Sequence, residues 1–496
     1  MHQLTKTDFK YYLDCPESLW LLKNKPQIYP KGEFSLFAEK LIKEGYEVEA
    51  YAKQLFANGL DLPEYGSPTE TQQALADNYR VYFQPSFITN KDIFARIDIL
   101  ERLADGTWHI YEVKSSTAIK KDRKHRQIED ACFQKYVLTE CGLTVSKVSI
   151  IHLNKEYIKH GDIVTSQLLE IAEITEDVNN IYSTVVNDIN AASNFINKEE
   201  IDESQCACKY NTRSNHCDTF SYFNKGVPEF SIYEIPRISV SKIEQLVDHN
   251  QLSILDVPMD FGLSDIQQMR VESVRQEEVL INKPAIAKTL ANLKCPLHFV
   301  DYETYPTAVP KLDGMGPHNH LVFQVSIHSM QQDGELTHFE WLGNTFEQPA
   351  DMLQKMKAFT GQTGTFISWN APFEVSRNKD MINWMPQFKD YLNYMNTHMF
   401  DLMTIFKTDY VDYRFHGSSS IKKVLPVLCP KFSYTDLEVQ DGTMALDTWG
   451  RMILDENFAE DKEATRKNLL EYCKLDTLAM VEIYKVLIKL KKKTKE

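Results

Sequence analysis

Apolar residues recur at helical spacing through FSLFAEKLIKEGYEVEAYAKQLF, which predicts a mostly helical region from residue 1 to about 60. From about 78 to 115 the pattern changes. YRVYFQPSFI, DIFARIDILERL and TWHIYEVKSS read as the strands of a β-meander, with Asp105-Gly106 as a hairpin turn. A helix is predicted at about 126–140, then the strand KVSIIHL, then helical sequence through the 170s and 180s. A polar loop rich in cysteine occupies 206–217. Residues 226–290 read as a polar helical connector without a chemical signature. Near Cys295 the pattern changes again: LHFVDYET, LVFQVSIHSM, THFEWLG and TGTFISWN predict four strands, with helices between and after them. This order of elements predicts an α/β protein with folded halves at 1–225 and 291–496, joined by 226–290.

The length of 496 residues agrees with two domains, since one ordinary core does not grow that large. No apolar run reaches the roughly 18 residues of a spanning helix. The N-terminus, MHQLTKTDFKYYLDCPESLW, lacks the apolar core of a signal peptide, so a cytoplasmic protein with no membrane partner is expected. A net charge of −15 argues against binding of nucleic acid by bulk electrostatics. It does not exclude a nuclease, which gathers carboxylates at metal ions and cations locally. Two basic runs are present: Lys120, Lys121, Arg123, Lys124, His125 and Arg126, and Lys485, Lys489, Lys491, Lys492, Lys493 and Lys495. The plain reading of each is a solvated face.

Three groups of residues carry candidate chemistry. In the first, Asp98 lies on one predicted strand, and Glu112 and Lys114 share a face of the next, because alternate residues of a strand point the same way. Two carboxylates from adjacent strands can hold Mg²⁺ or Mn²⁺, which prefer oxygen ligands. A lysine beside them can orient the attacking water and stabilise charge on a phosphate. A basic loop and a helix with Gln134 and Tyr136 follow. This layout resembles the RecB-type PD-(D/E)XK nucleases. The resemblance implies a substrate-contacting or supporting role for Gln134 and a metal-binding glutamate on the upstream helix. Glu47 is the choice there, with Glu44 and Glu49 as alternatives. The family often has Gln-x-x-x-Tyr, whereas Tyr136 follows Gln134 by only two positions.

The second group is made of cysteines. Nine of them, without a signal peptide, do not read as a disulfide framework. Cys132, Cys141, Cys295, Cys429 and Cys473 stand singly and read as small buried hydrophobes. Cys206, Cys208 and Cys217 cluster in a loop too polar for core packing, and Cys15 precedes a proline far upstream. Zinc and an iron–sulfur cluster both fit such spacing. One cysteine before the core and three after it is similar to the arrangement in several RecB-type nucleases. That likeness implies a 4Fe-4S cluster held by Cys15, Cys206, Cys208 and Cys217, with Zn²⁺ as the alternative. His216 is adjacent and is a less favoured ligand.

The third group lies in the C-terminal half. Asp301 and Glu303 share one face of an apolar strand, and Asn370, Phe373 and Glu374 stand at a helix start. Tyr472 and Asp476, four apart, share a helix face. Four carboxylates so placed can converge on two divalent ions that activate water and stabilise a leaving oxygen, with Tyr472 orienting the water. Together they resemble the DnaQ-like DEDD exonucleases of the Y-x-x-x-D subclass, with Glu374 where that family has aspartate. Asp401 reads as a helix cap. HGSSSIKKVLP offers Ser418, Ser419, Ser420, Lys422 and Lys423 either as an ordinary cap or as a phosphate site. The two halves together, with SSIKKVLP and YCKLDTLAM, resemble a prokaryotic family that joins them. The resemblances imply an N-terminal restriction-endonuclease-like domain and a C-terminal RNase H-like domain. They imply a metal-dependent nuclease acting on DNA in repair, recombination or defence. An RNA-processing exonuclease and a nucleic-acid-binding protein with one decayed site are the alternatives.

Overall fold

The computed structural model describes residues 2–30, 36–63, 66–434 and 437–492, so Lys493 and Lys495 of the C-terminal basic run lie outside the described residues. The chain divides into two compact units. One comprises residues 1–226 with 307–318, the other 227–306 with 319–496. Both mix helices and sheets, as an α/β protein should. No helix among the described residues is long and apolar enough to cross a membrane.

The first unit opens with helices α1 (Lys6–Asp14), α2 (Pro16–Asn24) and α3 (Leu36–Lys53). Thr5 begins α1 with a reciprocal cap: its hydroxyl accepts from the Asp8 N–H, and its own N–H donates to the Asp8 carboxylate at 2.9 Å. A six-stranded sheet follows whose strands lie side by side in chain order. They are β1 (Leu60–Asp61), β2 (Val81–Phe83), β3 (Ile99–Arg102), β4 (Trp108–Lys114), β5 (Val145–Leu153) and β6 (Leu169–Glu173). β4 and β5 are parallel, and α4 (Gln127–Glu140) makes the crossover that parallel pairing demands. On one face, Trp108 and Ile110 of β4 are buried with Phe133 and Val137 of α4 and with Val185 of α5 (Thr175–Ile196). On the other, Val48 and Ala52 of α3 pack with Val81, Ile99 and Tyr111. Strand alternation therefore sends Glu112 and Lys114 toward α4.

DIFARIDILERL, expected as one strand, is two. Ile93–Arg96 pairs with Leu4–Thr5 and Ser86–Ile88 in a separate small sheet, and β3 starts at Ile99. Asp98 thus sits in a bend rather than on a strand. The bend is held by Ile97 N–H on the Pro85 carbonyl (2.9 Å) and Gln84 N–H on the Asp98 carbonyl (3.0 Å). Residues 307–318 complete this unit: Ala308 and Val309 are buried on the α3 side, and Asp313 accepts from Lys159 at 2.6 Å.

In the second unit, residues 227–290 are folded in rather than left as a free connector. Helix α6 (Asp265–Gln276) carries Arg270, which is buried and donates to Glu234 at 2.7 Å and to the Tyr413 carbonyl at 2.8 Å. Leu280–Ile281 pairs antiparallel with Tyr410–Val411. A five-stranded sheet comprises β7 (Leu297–Pro306), β8 (His320–Met330), β9 (Leu336–Leu342), β10 (Thr365–Ser368) and β11 (Met399–Asp401). Its order is β9-β8-β7-β10-β11; β7, β8 and β9 are antiparallel neighbours, and β10 and β11 continue parallel to β7. Val300 and Tyr302 of β7 are buried with Met352 of α7 (Ala350–Thr360) and Met381 of α8 (Ala371–Trp384). The opposite face of β7 meets the long terminal helix: Phe299 packs edge-on to Tyr484, and Cys473 lies against Asp301. Asp301 and Glu303 belong to that second face.

Candidate metal centres

The first centre forms where β4 and α4 meet. Gln134 Nε2 donates to Glu112 Oε2 at 2.5 Å, and Lys114 Nζ donates to Glu112 Oε1 at 2.6 Å. Lys114 also reaches Asp130 Oδ2 at 2.7 Å. Asp130 precedes Gln134 by one helical turn, so both aim at β4. Lys6, the first residue of α1, adds a second ammonium at 2.7 Å from Glu112 Oε1. The Asp98 carboxylate comes in from the neighbouring bend and accepts the Val113 N–H at 2.8 Å. Burial pushes Asp98 up to about 7, with the nearby Glu112 charge adding to it. Burial acts the same way on Glu112, but Lys114 and Lys6 overcome it and hold that carboxyl well below its ordinary range. Two buried acceptors, Asp130 Oδ1 and Gln134 Oε1, have no hydrogen-bond partner among the described residues. Such acceptors call for donors, and a hydrated divalent cation is one source of them.

Of the α3 glutamates, Glu47 is ion-paired with Lys311, and Glu44 accepts from Lys40 at 2.6 Å. Glu49 pairs with Lys53 at 3.3 Å and also accepts from Gln84 Nε2 at 2.7 Å, a nitrogen that lies 3.5 Å from Asp98 Oδ1. Glu49 is thus linked to Asp98 through Gln84, whereas Glu47, the expected residue, faces Lys311. Sequence alone could not separate them, because the choice depends on which helix face packs on the sheet. Tyr136 is buried in the apolar core and takes no part. Lys6 and Asp130 were missed. Asp130 had a signal in its one-turn spacing from Gln134; Lys6 had none, being far away in the chain.

The four cysteines gather at the base of α2. The sulfurs of Cys15, Cys206, Cys208 and Cys217 all lie within 4.8 Å of one another, and Cys206 and Cys217 are 3.9 Å apart. Trp20, Leu21 and Phe223 pack around them. Hydrogen bonding among the four thiols holds Cys217 and Cys208 below their ordinary value and pushes Cys15 and Cys206 above it, as expected of a buried set that shares its protons. His216 turns elsewhere: its Nε2 lies 3.2 Å from the Asn211 carbonyl and its ring stacks on Phe220. Residues 121–125 of the basic run are exposed, as a solvated face would be. Within the run Lys121 pairs with Asp177 at 2.7 Å, and beside the cysteines Arg126 pairs with Asp14 at 3.0 Å and Arg123 donates to Asn211 at 3.1 Å.

The third centre is a cavity of about 210 Å³ in the second unit, lined by Asp301, Glu303, Glu374, Tyr472 and Asp476. β7 supplies the first two, the start of α8 supplies Glu374, and α11 (Lys462–Lys492) supplies the last pair. Ser368, at the end of β10, donates to Glu374 Oε2 at 2.8 Å. Tyr434 donates to Asp476 Oδ1 at 2.6 Å. Burial raises Asp301 and Glu303 far above the carboxylate range, and the neighbouring Asp476 charge raises them further. Burial also lifts Glu374 to about 7 and Asp476 to about 6. A buried set of like charges facing Lys422 is chemically suited to divalent cations. Asp401, expected as a helix cap, lies one residue before the N-cap Leu402 of the helix Met403–Thr408; its carboxylate accepts from the Met403 N–H and from the Asn370 N–H, both at 3.1 Å. Cys473, expected as a plain buried hydrophobe, lies 3.7 Å from Asp301 Oδ2 and groups with Asp301 and Glu303 as candidate ligands. Its spacing of three from Asp476 on one helix was the available signal. Tyr434 was missed because only the fold brings it to α11. Replacing Tyr434 with Phe is expected to weaken Mn²⁺ binding about 10- to 100-fold in calorimetry on a full chain whose first centre carries Asp98→Ala.

Residues 298–420 match a family model described as a domain of unknown function, DUF2779. That stretch contains Asp301, Glu303 and Glu374 and ends before Tyr472 and Asp476. The uncharacterized protein MG366 homolog of Mycoplasma pneumoniae is 27% identical over 208 residues, covering 37% of this chain and 31% of that protein. The chain thus spans less than a third of that relative's length. The crystal structure of SSO0001 aligns with 38% of this chain and 76% of its own, at 13% identity and a TM-score of 0.19, a likeness too slight to carry an argument.

Proposed function

We propose that the protein is a divalent-metal-dependent nuclease with two separate active centres, one in each unit. The observation that carries this reading is the convergence of Asp301, Glu303, Glu374 and Asp476 on one cavity beside Tyr472. The strand order β9-β8-β7-β10-β11 supports an RNase H-like domain there. The meeting of Asp98, Glu112, Lys114 and Gln134 supports a PD-(D/E)XK domain in the first unit. Mg²⁺ or Mn²⁺ at either centre would activate water and stabilise the leaving oxygen of a phosphodiester.

Around the ions, the chain's own residues do the positioning. Tyr434 holds one oxygen of Asp476, and Tyr472 lines the same cavity one helical turn before it. Ser368 fixes the longer Glu374 side chain in the place the family gives to aspartate. At the first centre Lys114 stays protonated, since Asp130 and Glu112 outweigh the burial that would discharge it. It serves as an electrostatic partner for phosphate charge rather than as a base. Glu49→Gln is expected to lower hydrolysis at the first centre at least about tenfold, whereas Glu47→Gln leaves it nearly unchanged. Equal losses would return the helix-glutamate role to an open question between the two. The polymer is proposed to be DNA, in repair, recombination or defence; parallel assays on DNA and RNA single strands test the choice.

The cysteines are proposed to hold a 4Fe-4S cluster through Cys15, Cys206, Cys208 and Cys217, in line with the one-plus-three order of RecB-type nucleases. Zinc is the second reading, and one observation favours it. A tetrahedral zinc with bonds of about 2.3 Å sets its sulfurs about 3.8 Å apart, close to the 3.9 Å between Cys206 and Cys217. Iron and sulfide analysis with visible absorption on anaerobically purified protein separates the two.

A further inference from the structure

Beside the carboxylate centre the second unit has another cavity, a groove of about 900 Å³ between the 236–270 region and the segment 404–419. The two cavities share a wall. Ser419 lines the groove and Ser420 lines the carboxylate cavity. Trp369, which lines the carboxylate cavity, donates from Nε1 to the Ser419 carbonyl at 3.1 Å and stacks on Phe406 of the groove at 5.2 Å.

We propose that this groove holds the nucleotides of a single strand that precede the one cleaved in the carboxylate cavity. The inference rests on the nuclease reading of that cavity and adds a substrate-binding role for the former connector. Its lining suits unpaired nucleic acid. Arg237 and Lys407 line the groove and form no ion pair with a described residue. Arg237 is exposed and held at φ +51°, a costly conformation for a residue with a side chain. Buried Arg270 also lines it, and its Nε has no hydrogen-bond partner among the described residues. Phe406, Tyr410 and Phe415 give an apolar floor for bases, and Ser418 and Ser419 give polar groups for the backbone. Of the carboxylates on the lining, Asp412 is engaged by Arg414 at 2.6 Å and Asp265 stands exposed at the start of α6. Cations tracking a backbone beside aromatic surface are how single strands are held. A cavity of this volume can take a short run of nucleotides.

The test is fluorescence anisotropy of a labelled single strand, DNA in one arm and RNA in the other. It uses the full chain with Ca²⁺ in place of Mg²⁺. A photoreactive base near the 3′ end reports where the strand lies. The charge reversal Arg237→Glu with Lys407→Glu is expected to weaken binding at least about tenfold. It should also flatten the log–log salt slope by about 1.4, the share of two phosphates on a single strand. The neutral pair Arg237→Gln with Lys407→Gln should fall between, with an unchanged melting temperature. Crosslinks should fall on residues 404–419. Unchanged affinity in both pairs, or crosslinks confined to other segments, overturns the proposal. If the variants lose binding yet the wild type with Mg²⁺ cleaves neither polymer, the nuclease reading fails while the groove stands. If the wild type cleaves and the variants bind and cleave equally well, the groove alone fails.

Discussion

Lys114→Ala is expected to lower hydrolysis at the first centre by roughly 10²- to 10⁴-fold and to leave the second centre active. Asp301→Asn is expected to do the reverse, by roughly 10³-fold, since it removes a carboxylate from the metal-binding set. The two losses should be separable on a panel of single- and double-stranded DNA and RNA with Mn²⁺. A double variant that degrades every substrate as fast as the wild type would sink the two-centre reading. Loss of stability is the competing explanation for Lys114. Its ammonium is the ion-pair partner of Asp130, whose side chain is 1% exposed, and removing one partner of a buried pair costs about 3–5 kcal/mol. Glu112 is protected from the same fate by Lys6. Adding Asp130→Asn to Lys114→Ala should therefore recover melting temperature without recovering hydrolysis. Recovery of both would make Lys114 a structural residue.

Cys15→Ser should release whatever the four thiols bind and loosen the join between α2 and the 206–217 loop. Serine keeps the shape but offers no thiolate, and a four-ligand site reduced to three loses most of its affinity. The loss in folding free energy should be of order several kcal/mol, because metal binding by such sites is coupled to folding. Trp20 provides a local reading. It packs beside the cysteines at 1% exposure, and its indole donates to the Lys198 carbonyl at 2.9 Å. Its fluorescence should shift to the red as water reaches it, along with loss of the bound iron or zinc. A variant with unchanged metal content and melting temperature would show that the thiols do not act as ligands.

Much of the fold is legible where contacts are local. The period-two alternation of TWHIYEVKSS gives β4 its faces, and with them the shared direction of Glu112 and Lys114 toward α4. Likewise LHFVDYET becomes β7, with Asp301 and Glu303 on the face that meets α11. Misreadings occurred where distant contacts override local pattern. DIFARIDILERL has no glycine or proline to break it, yet it changes sheets at Asp98 because Gln84 and Pro85 cross it there. The 226–290 segment looks like a linker because its anchors are polar. Arg270 reaches across to Glu234 and the Tyr413 carbonyl, contacts that no hydrophobic period announces.

The sequence by itself determined the residue types of three centres and the faces on which strand and helix periodicity places them. It could not choose among Glu44, Glu47 and Glu49, nor reveal Lys6, Tyr434 and Cys473 beside the carboxylates. Those depend on how a helix rotates on its sheet and on which remote segments meet. Such choices are made by burial and hydrogen bonding summed over the whole unit, and only the tertiary structure decided them.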